Sequence, residues 1–450
     1  MMGERRVFQE ALFYEFSLEE HVPADHLLRS IDRFVGLDSV RTHLARLYSS
    51  TGRPSIDPEL LIRMLVVGYC YGIRSERRLC EDVHLNLAYR WFCRLGLGGA
   101  VPDHSTFSKN RHGRFRDGDV LRHVFETVVR RCIAEGLVGG DGFAVDASLI
   151  KADASRQHRV EGAQGLAPDV TSRAIDEYLA VLDAATFGAA TDVTPKFVSP
   201  ADPAARWTGA NGGPPFFAYS TNYLIDLDHA IIVDVEASTA IRQAEVAAAK
   251  TMIARAEEHL GLYPERLAGD AAYGSGKMLD WLVHERGIEP HIPVFDHSNR
   301  ADGTFSRADF TYDHQGDVYF CPGGKMLTCK GTVVNDDQLM YRASQYDCNA
   351  CSLKPRCCPK EPARKVPRSV YEGARDMARD IAQTEGYRTS RRQRKKVEML
   401  FAHLKRILRL DRLRLRGPRG AQDEFLLAAT AQNLRKLAKL IPMPNPAVAT

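Results

Sequence analysis

Apolar positions divide the chain into a helical first part and a mixed remainder. Across residues 22–116, apolar residues recur three and four positions apart, which is the period of a helix with one buried face. In "SIDPELLIRMLVVGYCYG", Asp57 and Pro58 precede such a run. Asp is a favoured N-cap and Pro fits the first turn, so a helix is predicted to begin here. Asp25 is predicted to cap an earlier helix, and a later helix is predicted to begin at Ser105.

From residue 142 onward the pattern changes to short strands separated by helices. "GFAVDASLI" predicts a strand, residues 217–238 a β-hairpin, and "ERLAGD" and "EPHIPV" two further strands. Helical periodicity lies between these strands and returns over 373–409 and 421–440. The predicted fold class is α/β, or mixed α+β: a mixed sheet flanked by helices, compatible with a ribonuclease-H-like fold, with an all-helical N-terminal domain and a Cys-rich insertion.

Charge is unevenly distributed along the chain. The composition is ordinary for a globular protein, and the formal net charge of +4 is a weak argument for a nucleic-acid partner. Residues 388–420, however, hold 13 Lys or Arg against two acids. Such a local excess suits contact with a phosphate backbone, although a solvated basic helix has the same pattern. No apolar run reaches the ~18–20 residues of a membrane helix, and the N-terminus does not look like a signal peptide, so a cytoplasmic location is expected.

Three acids occur at positions where a carboxylate is unexpected. Asp146 lies inside the apolar strand "FAVDASLI", Asp270 ends the strand "LAGD", and Glu398 lies on a basic helix that also has an apolar face. A charged group in a buried strand is costly unless it is paired or binds a metal. Converging carboxylates repel one another unless divalent cations neutralise them, and oxygen-only ligands suit Mg²⁺ or Mn²⁺. We therefore hypothesise a two-metal site for phosphoryl transfer.

Each of these acids also has a simpler explanation. Asp270 could cap the turn that follows it, Asp146 could be a surface acid at a strand edge, and Glu398 could pair only with Arg394, four residues earlier. Other acids near the motifs are interpreted as turn or surface residues, namely Asp153, Asp226, Asp228 and Asp234. The joint occurrence of the first three acids, in this order and on these elements, favours the metal site.

Several segments resemble DDE transposases of bacterial insertion sequences, and the resemblance covers nearly the whole chain. "GRPSIDPELLIRMLVVGYCYG" and "PDHSTFSKNR" are similar to the N-terminal helical domain of that group. "FAVDASLIKADAS" and "LAGDAAYGS" are similar to its two aspartate strands, and "RKKVEMLFAHLKRILRLDRLRLRG" to its glutamate helix. The resemblance implies a ribonuclease-H-like catalytic core in which Asp146, Asp270 and Glu398 are the catalytic residues and bind two Mg²⁺ or Mn²⁺ ions.

The last helix carries a related signature, Y-x2-R-x3-E-x6-K. Arg394, Glu398 and Lys405 match it, whereas Arg391 stands at the tyrosine position and Tyr387 lies one turn earlier. The candidate DNA-binding residues are Arg394, Lys405, Arg391, Lys395, Tyr273 and Trp207. Trp207 lies in a loop rich in Gly and Pro, where it could stack on an unpaired base or pack as a lid.

The activity implied by the resemblance is transposition. The protein would bind the terminal inverted repeats of its element, cleave DNA at the element ends in a metal-dependent step and transfer the freed 3′ ends to target DNA. A homodimer or larger assembly on double-stranded DNA is expected, in the bacterial cytoplasm and associated with the nucleoid when DNA is bound. Two alternatives stay open: a catalytically inactive or repurposed DNA-binding protein, and a metal-dependent nuclease without strand transfer.

The predicted organisation has five segments. They are 1–135, a helical DNA-binding domain; 136–300, the first part of the catalytic core; 301–372, a Cys-rich insertion; 373–441, the glutamate helix and the C-terminal helices; and 442–450, a tail.

Six of the ten cysteines fall between residues 321 and 358. Four thiolates at this spacing could form a closed tetrahedral zinc site with a structural or DNA-contacting role, and free thiols are the alternative. The preferred ligands are Cys321, Cys348, Cys351 and Cys357, with Cys329 or Cys358 as substitutes. The remaining cysteines are predicted to be core residues: Cys70, Cys80, Cys93 and Cys132.

Overall fold

A computed structural model describes residues 16–52, 54–166, 171–209, 213–296, 300–334 and 337–443. Packing divides the chain into two compact units. The first unit comprises Met1–Gly139, Ala147–Leu262 and Lys396–Thr450, and the second comprises Gly140–Asp146 and Tyr263–Lys395. Most of the predicted tail lies outside the described residues, as does the start of the predicted N-terminal domain.

The first unit begins with short helices. They are α1 (Leu18–His21), α2 (Leu27–Asp32), α3 (Asp38–Leu44), α4 (Pro58–Cys70), α5 (Glu76–Leu85), α6 (Leu87–Phe92), α7 (Ser105–Arg111), α8 (Arg114–Asp117) and α9 (Val120–Ala134). The predicted start of α4 is confirmed, because Asp57 accepts the backbone N–H of Glu59 at 3.2 Å. The start of α7 at Ser105 is also confirmed.

The predicted cap of α2 is wrong. The helix begins at Leu27, and its cap is His26, whose Nδ1 accepts the backbone N–H of Leu28 at 3.2 Å. Asp25 stands one residue too early to reach the first free N–H groups of the helix, which a capping side chain must accept.

An antiparallel sheet follows in the first unit. The chain runs through β1 (Gly142–Lys151), β2 (Val160–Glu161), α10 (Arg173–Leu179), β3 (Phe197–Val198), β4 (Arg206–Thr208), β5 (Phe216–Asp226), β6 (Ile232–Thr239) and α11 (Arg242–Leu260). The first five residues of β1 belong to the second unit. The predicted hairpin is confirmed as β5–β6, and β4 pairs with the first residues of β5. Asp226 closes its turn by accepting the N–H groups of Asp228 and His229.

The second unit has a parallel set of strands and an insertion. Its elements are β7 (Arg266–Ala268), α12 (Gly276–Asp280), β8 (Glu289–His291), β9 (Thr311–Asp313), β10 (Val318–Phe320), β11 (Met326–Thr328), β12 (Val333–Val334), β13 (Gln338–Ala343), α13 (Gln345–Asn349), α14 (Lys354–Cys357), β14 (Lys365–Ser369) and α15 (Glu372–Ile381). β7 pairs in parallel with both β1 and β8. β9 to β14 form a separate antiparallel sheet, so the predicted Cys-rich insertion has a fold of its own.

The C-terminal region contains α16 (Glu385–Arg406) and α17 (Gly417–Leu440). Helical periodicity was expected over 373–409, and the structure divides this range into two helices, because α15 ends at Ile381 and α16 begins at Glu385. The break arises at Thr384, whose hydroxyl accepts the N–H of Tyr387 at 3.1 Å as an N-cap would. In the first unit α17 packs against α2, α4, α9 and β6, and most of its residues are buried. The predicted fold class, mixed helices and strands with a helical N-terminal region, is confirmed.

Candidate active site

In the second unit, Asp146 lies in β1, and Asp270 follows the end of the neighbouring parallel strand β7 by two residues. In the pairing of β1 with β7, Ala144 lies opposite Ala268. Continued by two residues, past the end of β7, the same register would place Asp146 level with Asp270. Because side chains two residues apart lie on the same face of a strand, the two carboxylates would then share one face of the sheet. Asp270 lies beyond the carboxyl end of β7, and Asp146 lies just after the parallel pairing of β1 ends, which is the region where ligand sites of such sheets lie.

Asp270 also caps the turn after β7. Its Oδ1 accepts the backbone N–H of Ala272 at 2.8 Å, at the start of the short helical turn Ala271–Tyr273. Asp270 therefore does act as an N-cap, as the simpler explanation held. This does not exclude metal binding, because a carboxylate has two oxygens with about four acceptor sites.

Arg394 provides a cationic partner for this acidic pair. One guanidinium nitrogen donates to Asp146 Oδ2 at 3.2 Å, and the side chains of Arg394 and Asp146 are only 27% and 17% exposed. Asp146 is therefore a partly buried, paired carboxylate, which does not fit a solvated surface acid. Arg394, predicted to bind DNA, instead lies against an acid in this structure, and it offsets part of the negative charge of the pair.

The first half of α16 is anchored to β8. His291 Nδ1 and Ser390 Oγ lie 2.8 Å apart, and both side chains are buried. The ring of Tyr387 lies 5.9 Å from that of His291. Tyr387 is the residue one turn before the expected tyrosine position, and here it packs at the start of the helix. This anchoring fixes the helical turn that carries Arg394.

Glu398 lies one turn after Arg394 on α16, and it is exposed. The predicted apolar stripe is confirmed, since Val397, Leu400 and Leu404 are buried. Among the residues that the structure describes, no three His, Cys, Asp or Glu side chains are grouped closely enough to hold a metal ion. The assignment of Glu398 as the third acid consequently stays a prediction from the sequence.

Two of the predicted DNA contacts do not fit the structure. Tyr273 is only 2% exposed, so its ring packs inside the second unit and is not presented to DNA. The ring of Trp207, on β4, makes edge contacts with Phe197 at 5.3 Å and Phe217 at 5.1 Å, and the guanidinium of Arg159 lies over it. The lid interpretation of Trp207 fits these contacts. By contrast, Arg391 and Lys395 are exposed on α16, as a phosphate contact requires.

A basic cleft in the first unit was not foreseen from the sequence. It has a volume of about 620 Å³ and is lined by Lys151, Arg156, Lys405, Arg412 and Phe216, among others. Asp411 also lines the cleft. The residues come from the end of β1 and the segment after it, the start of β5, and the end of α16 and the chain after it, so only long-range folding assembles them. Lys405 alone was predicted as a DNA contact, and the basic block 388–420 was the only signal for Arg412.

The chemistry inside this cleft is cationic and aromatic. The Lys151 ammonium lies 5.5 Å from the centroid of the Phe216 ring, and Arg412 donates to Asp153 at 3.0 Å. Burial lowers the pKa of Lys405, while the charge of Asp411 acts in the opposite direction. Excess positive charge beside a half-buried aromatic ring suits a nucleic-acid strand, whose phosphates and bases match these two kinds of group.

The interpretation of Asp234 as a turn or surface acid is wrong. Its side chain is 3% exposed and accepts hydrogen bonds from Arg122 and, at 2.7 Å, from Arg255. Asp226 is a turn acid as predicted, but it is buried as well. The available sequence signal for burial was that Asp234 lies between apolar neighbours along β6. Its two arginine partners come from other elements, α9 and α11, so the local pattern could not identify them.

Comparison with known proteins identifies the family. Residues 16–113 match a family model described as a transposase domain (DUF772), and residues 320–438 match one described as a transposase DDE domain. Glu398, Arg394 and the cysteine cluster lie inside the second match, while Asp146 and Asp270 lie outside both. A cryo-EM structure of a piggyBac transposase synaptic complex with hairpin DNA is 10% identical, covers 92% of this chain and 75% of that chain, and has a TM-score of 0.33, too low to support an argument.

Both matched models describe transposase domains, and together they support a DDE transposase. A DDE domain implies action on DNA and, in general, dependence on a divalent metal ion. Among the described residues, no helix is long and apolar enough to cross a membrane.

Proposed function

We propose that this transposase cuts DNA at the inverted-repeat ends of an insertion sequence and joins the freed 3′ ends to target DNA. Asp146, Asp270 and Glu398 are the proposed catalytic triad. The observation that supports the proposal is the register of β1 and β7, which would bring the two acids level if it is continued by two residues. A protein that only bound DNA would gain nothing from aligned carboxylates, because like charges at that spacing repel each other.

The donor atoms available here fit a hard divalent cation. Asp146 and Asp270 offer carboxylate oxygens, and Glu398 would add a third carboxylate, a set that suits Mg²⁺ or Mn²⁺. Two bound ions would supply activation of the attacking oxygen and stabilisation of the leaving oxygen in phosphoryl transfer. The aligned carboxylates would fix the reacting phosphate relative to the sheet edge. No side chain forms a covalent bond to DNA in this scheme.

Arg394 has a positioning role in the proposal. Its hydrogen bond holds the carboxylate of Asp146 in one orientation, and its own helix is anchored at His291 and Ser390. Arg391 and Lys395, exposed on the same helix, would contact the phosphates next to the cleaved bond.

The basic cleft is the proposed path of a DNA strand. Lys151, Arg156, Lys405 and Arg412 would bind phosphates, and Phe216 would contact a base or sugar. The helices within residues 1–135 would recognise the inverted repeat, and the sheets and last helices, within 136–300 and 373–441, would form the catalytic core around the insertion 301–372. Since both element ends must be joined, we expect a homodimer or larger assembly, acting in the bacterial cytoplasm where the nucleoid DNA lies.

The experiment compares DNA processing by wild type and by variants of the three acids. Donor DNA carrying the element ends that flank the gene is incubated with the full chain in Mg²⁺ or in EDTA, and cleavage and joined products are separated on gels. We expect Asp146→Asn, Asp270→Asn and Glu398→Gln to lower both activities by about 100-fold or more while DNA binding, measured by fluorescence anisotropy, is retained. Glu385→Gln is the matched control, since Glu385 is an exposed acid on the same helix, and it should keep full activity.

Three results would contradict the proposal in different ways. Cleavage without strand-transfer products would indicate a nuclease. Binding without any cleavage, with Mg²⁺ or Mn²⁺, would indicate a DNA-binding protein. Loss of activity in the two aspartate variants but not in Glu398→Gln would leave the aspartate pair in place and require a different third ligand.

A further inference from the structure

Five cysteines of the insertion surround one small cavity in the second unit. The cavity is lined by Cys321, Cys348, Cys351, Cys357 and Cys358, and its volume of about 20 Å³ is enough for a single water-sized particle. Cys329, one of the suggested substitutes, does not line it. These residues come from three places along the insertion, so the fold has gathered thiols that the sequence keeps apart.

The turn after β10 presents Cys321 toward this cavity. The backbone N–H of Cys321 donates to the carbonyl of Lys325 at 2.9 Å, and the N–H of Lys325 donates to Cys321 Sγ at 3.4 Å. The turn is closed by Gly324, whose φ of +72° an L residue rarely adopts. A backbone N–H that points at sulfur stabilises a thiolate, as the outer hydrogen bonds of metal sites do for their ligands.

The other thiols reach the cavity from α13 and α14. Cys348 is in α13, Cys351 follows its end, and Cys357 and Cys358 are at the end of α14. A methyl group built on Gly323 would lie 3.6 Å from Cys351 Sγ and 3.7 Å from Cys321 Sγ, so these two sulfurs flank the same glycine. The thiols of Cys348 and Cys358 interact directly with each other.

The apolar core of the insertion is small, so we expect its fold to need further support. The buried cluster beneath its sheet consists of only Phe310, Tyr319, Leu327, Tyr341 and Val366. Folded segments of this size usually require a metal or disulfides to supplement the core. All ten cysteines are free thiols in this structure, which leaves a metal as the available supplement.

Charge around the cavity favours an anionic complex. One Zn²⁺ held by four thiolates has a net charge of −2, and Lys325, Lys354 and Arg364 line the same cavity. Asp347 also lines it, and its carboxylate lies 3.8 Å from the Lys325 ammonium, joining the turn of Cys321 to α13. The surroundings thus carry the counter-charge that such a complex requires.

We propose that the insertion binds one structural Zn²⁺ through Cys321, Cys348, Cys351 and one of the adjacent pair Cys357 and Cys358. On binding, four thiols release their protons to solvent and form four Zn–S bonds. Because no three potential ligand side chains of the described residues are yet grouped at coordination distance, the cysteine side chains must turn inward as the ion enters. The site is distinct from the proposed catalytic acids and needs no DNA.

The test measures metal in the purified full chain. Elemental analysis should find about one zinc per chain, and Co²⁺ exchanged into the site should give the sulfur-to-metal absorption of a tetrahedral thiolate complex. Cys321→Ser, Cys348→Ser and Cys351→Ser should each lower bound zinc by about tenfold or more. Cys329→Ser is the matched control and should retain it. Cys357→Ser and Cys358→Ser made singly show which of the two is the fourth ligand, and the double variant should lose zinc.

Variants that fail to fold would not obscure the result, because the wild-type chain gives an independent measurement. A strong chelator should remove its zinc and increase proteolysis within residues 301–372. Added Zn²⁺ should reverse both effects. A zinc-free wild type that neither binds Zn²⁺ nor gives the Co²⁺ spectrum would overturn the proposal, as would equal zinc loss in Cys329→Ser. Asp146→Asn should keep full zinc, so failure of the zinc site and failure of the catalytic triad are separately visible.

Discussion

Asp270→Asn should stabilise the protein in EDTA and destabilise it, relative to wild type, in Mg²⁺. The reason is the proposed alignment of Asp146 with Asp270, which follows from continuing the register of β1 and β7 by two residues. In the metal-free protein their repulsion lowers the stability of the fold, whereas in the metal-bound protein both carboxylates contribute to stability by binding the ion. Asparagine removes the charge and keeps an oxygen that can accept the N–H of Ala272, so the cap is preserved.

The size of the effect follows from the geometry. Neighbouring strands are about 4.8 Å apart, and two like charges at about 5 Å repel by about 3 kcal/mol at an effective dielectric constant of about 20. Both acids are partly exposed, and Arg394 lies 3.2 Å from Asp146, so we expect about 1 kcal/mol to remain. In Mg²⁺ at about 100 times its dissociation constant, wild type gains about 2.7 kcal/mol that a variant unable to bind the ion lacks.

Urea unfolding followed by circular dichroism, in EDTA and in MgCl₂, measures both differences. Asp57→Asn is the matched control, because Asp57 also caps a helix through an adjacent backbone N–H and should show no dependence on Mg²⁺. If Asp270→Asn is less stable than wild type in EDTA, the two carboxylates do not repel each other. If Mg²⁺ does not change the order of stabilities, the pair does not bind the ion.

Three other variants test the remaining structure. Asp234→Ala should lower the free energy of unfolding by about 3–5 kcal/mol, because it leaves two arginines largely buried without their carboxylate, while Asp82→Ala, which removes a partly exposed ion pair, should cost less than about 1 kcal/mol; similar losses in urea unfolding would refute this. Burial raises the pKa of Asp202 to about 6, so the folded state holds this proton more tightly than the unfolded state, and stability contributed by Asp202 should fall as the pH rises from about 4 to about 6. Asp202→Asn should remove that part of the pH profile, about 2–3 kcal/mol. Lys151→Ala should reduce the slope of log affinity against log salt for DNA by about one; an unchanged slope would place DNA outside the cleft.

Local signals predicted the elements well where neighbouring residues decide the structure. Asp57 followed by Pro58 gave the start of α4, because both effects act within one turn. The same rule failed at Asp25, where His26 supplied an acceptor one residue nearer the helix. The break before α16 was missed because Thr384 interrupts a helical pattern that periodicity alone continues. Capping residues compete over one or two positions, and periodicity does not distinguish them.

The candidate site was predictable only in part for a different reason. Strand periodicity located Asp146 and Asp270, and the register of parallel strands then brought them together. The partner of Arg394 was not predictable, because Asp146 is 248 residues away in the sequence. The basic cleft likewise combines the ends of β1 and α16, and no local pattern encodes such a meeting.

The parallel pairing of β1 with β7 has a consequence for synthesis of the chain. Gly142 pairs with Arg266, so the first half of β1 leaves the ribosome more than 120 residues before its partner strand. At about 5–20 residues per second, that interval lasts roughly 6–25 s. During this time the apolar segment Phe143–Val145, fully buried in the finished protein, lacks its parallel partner β7. Slow translation therefore lengthens the period in which the nascent chain exposes this edge of β1, and co-expressed chaperones or a lower growth temperature should raise the soluble yield.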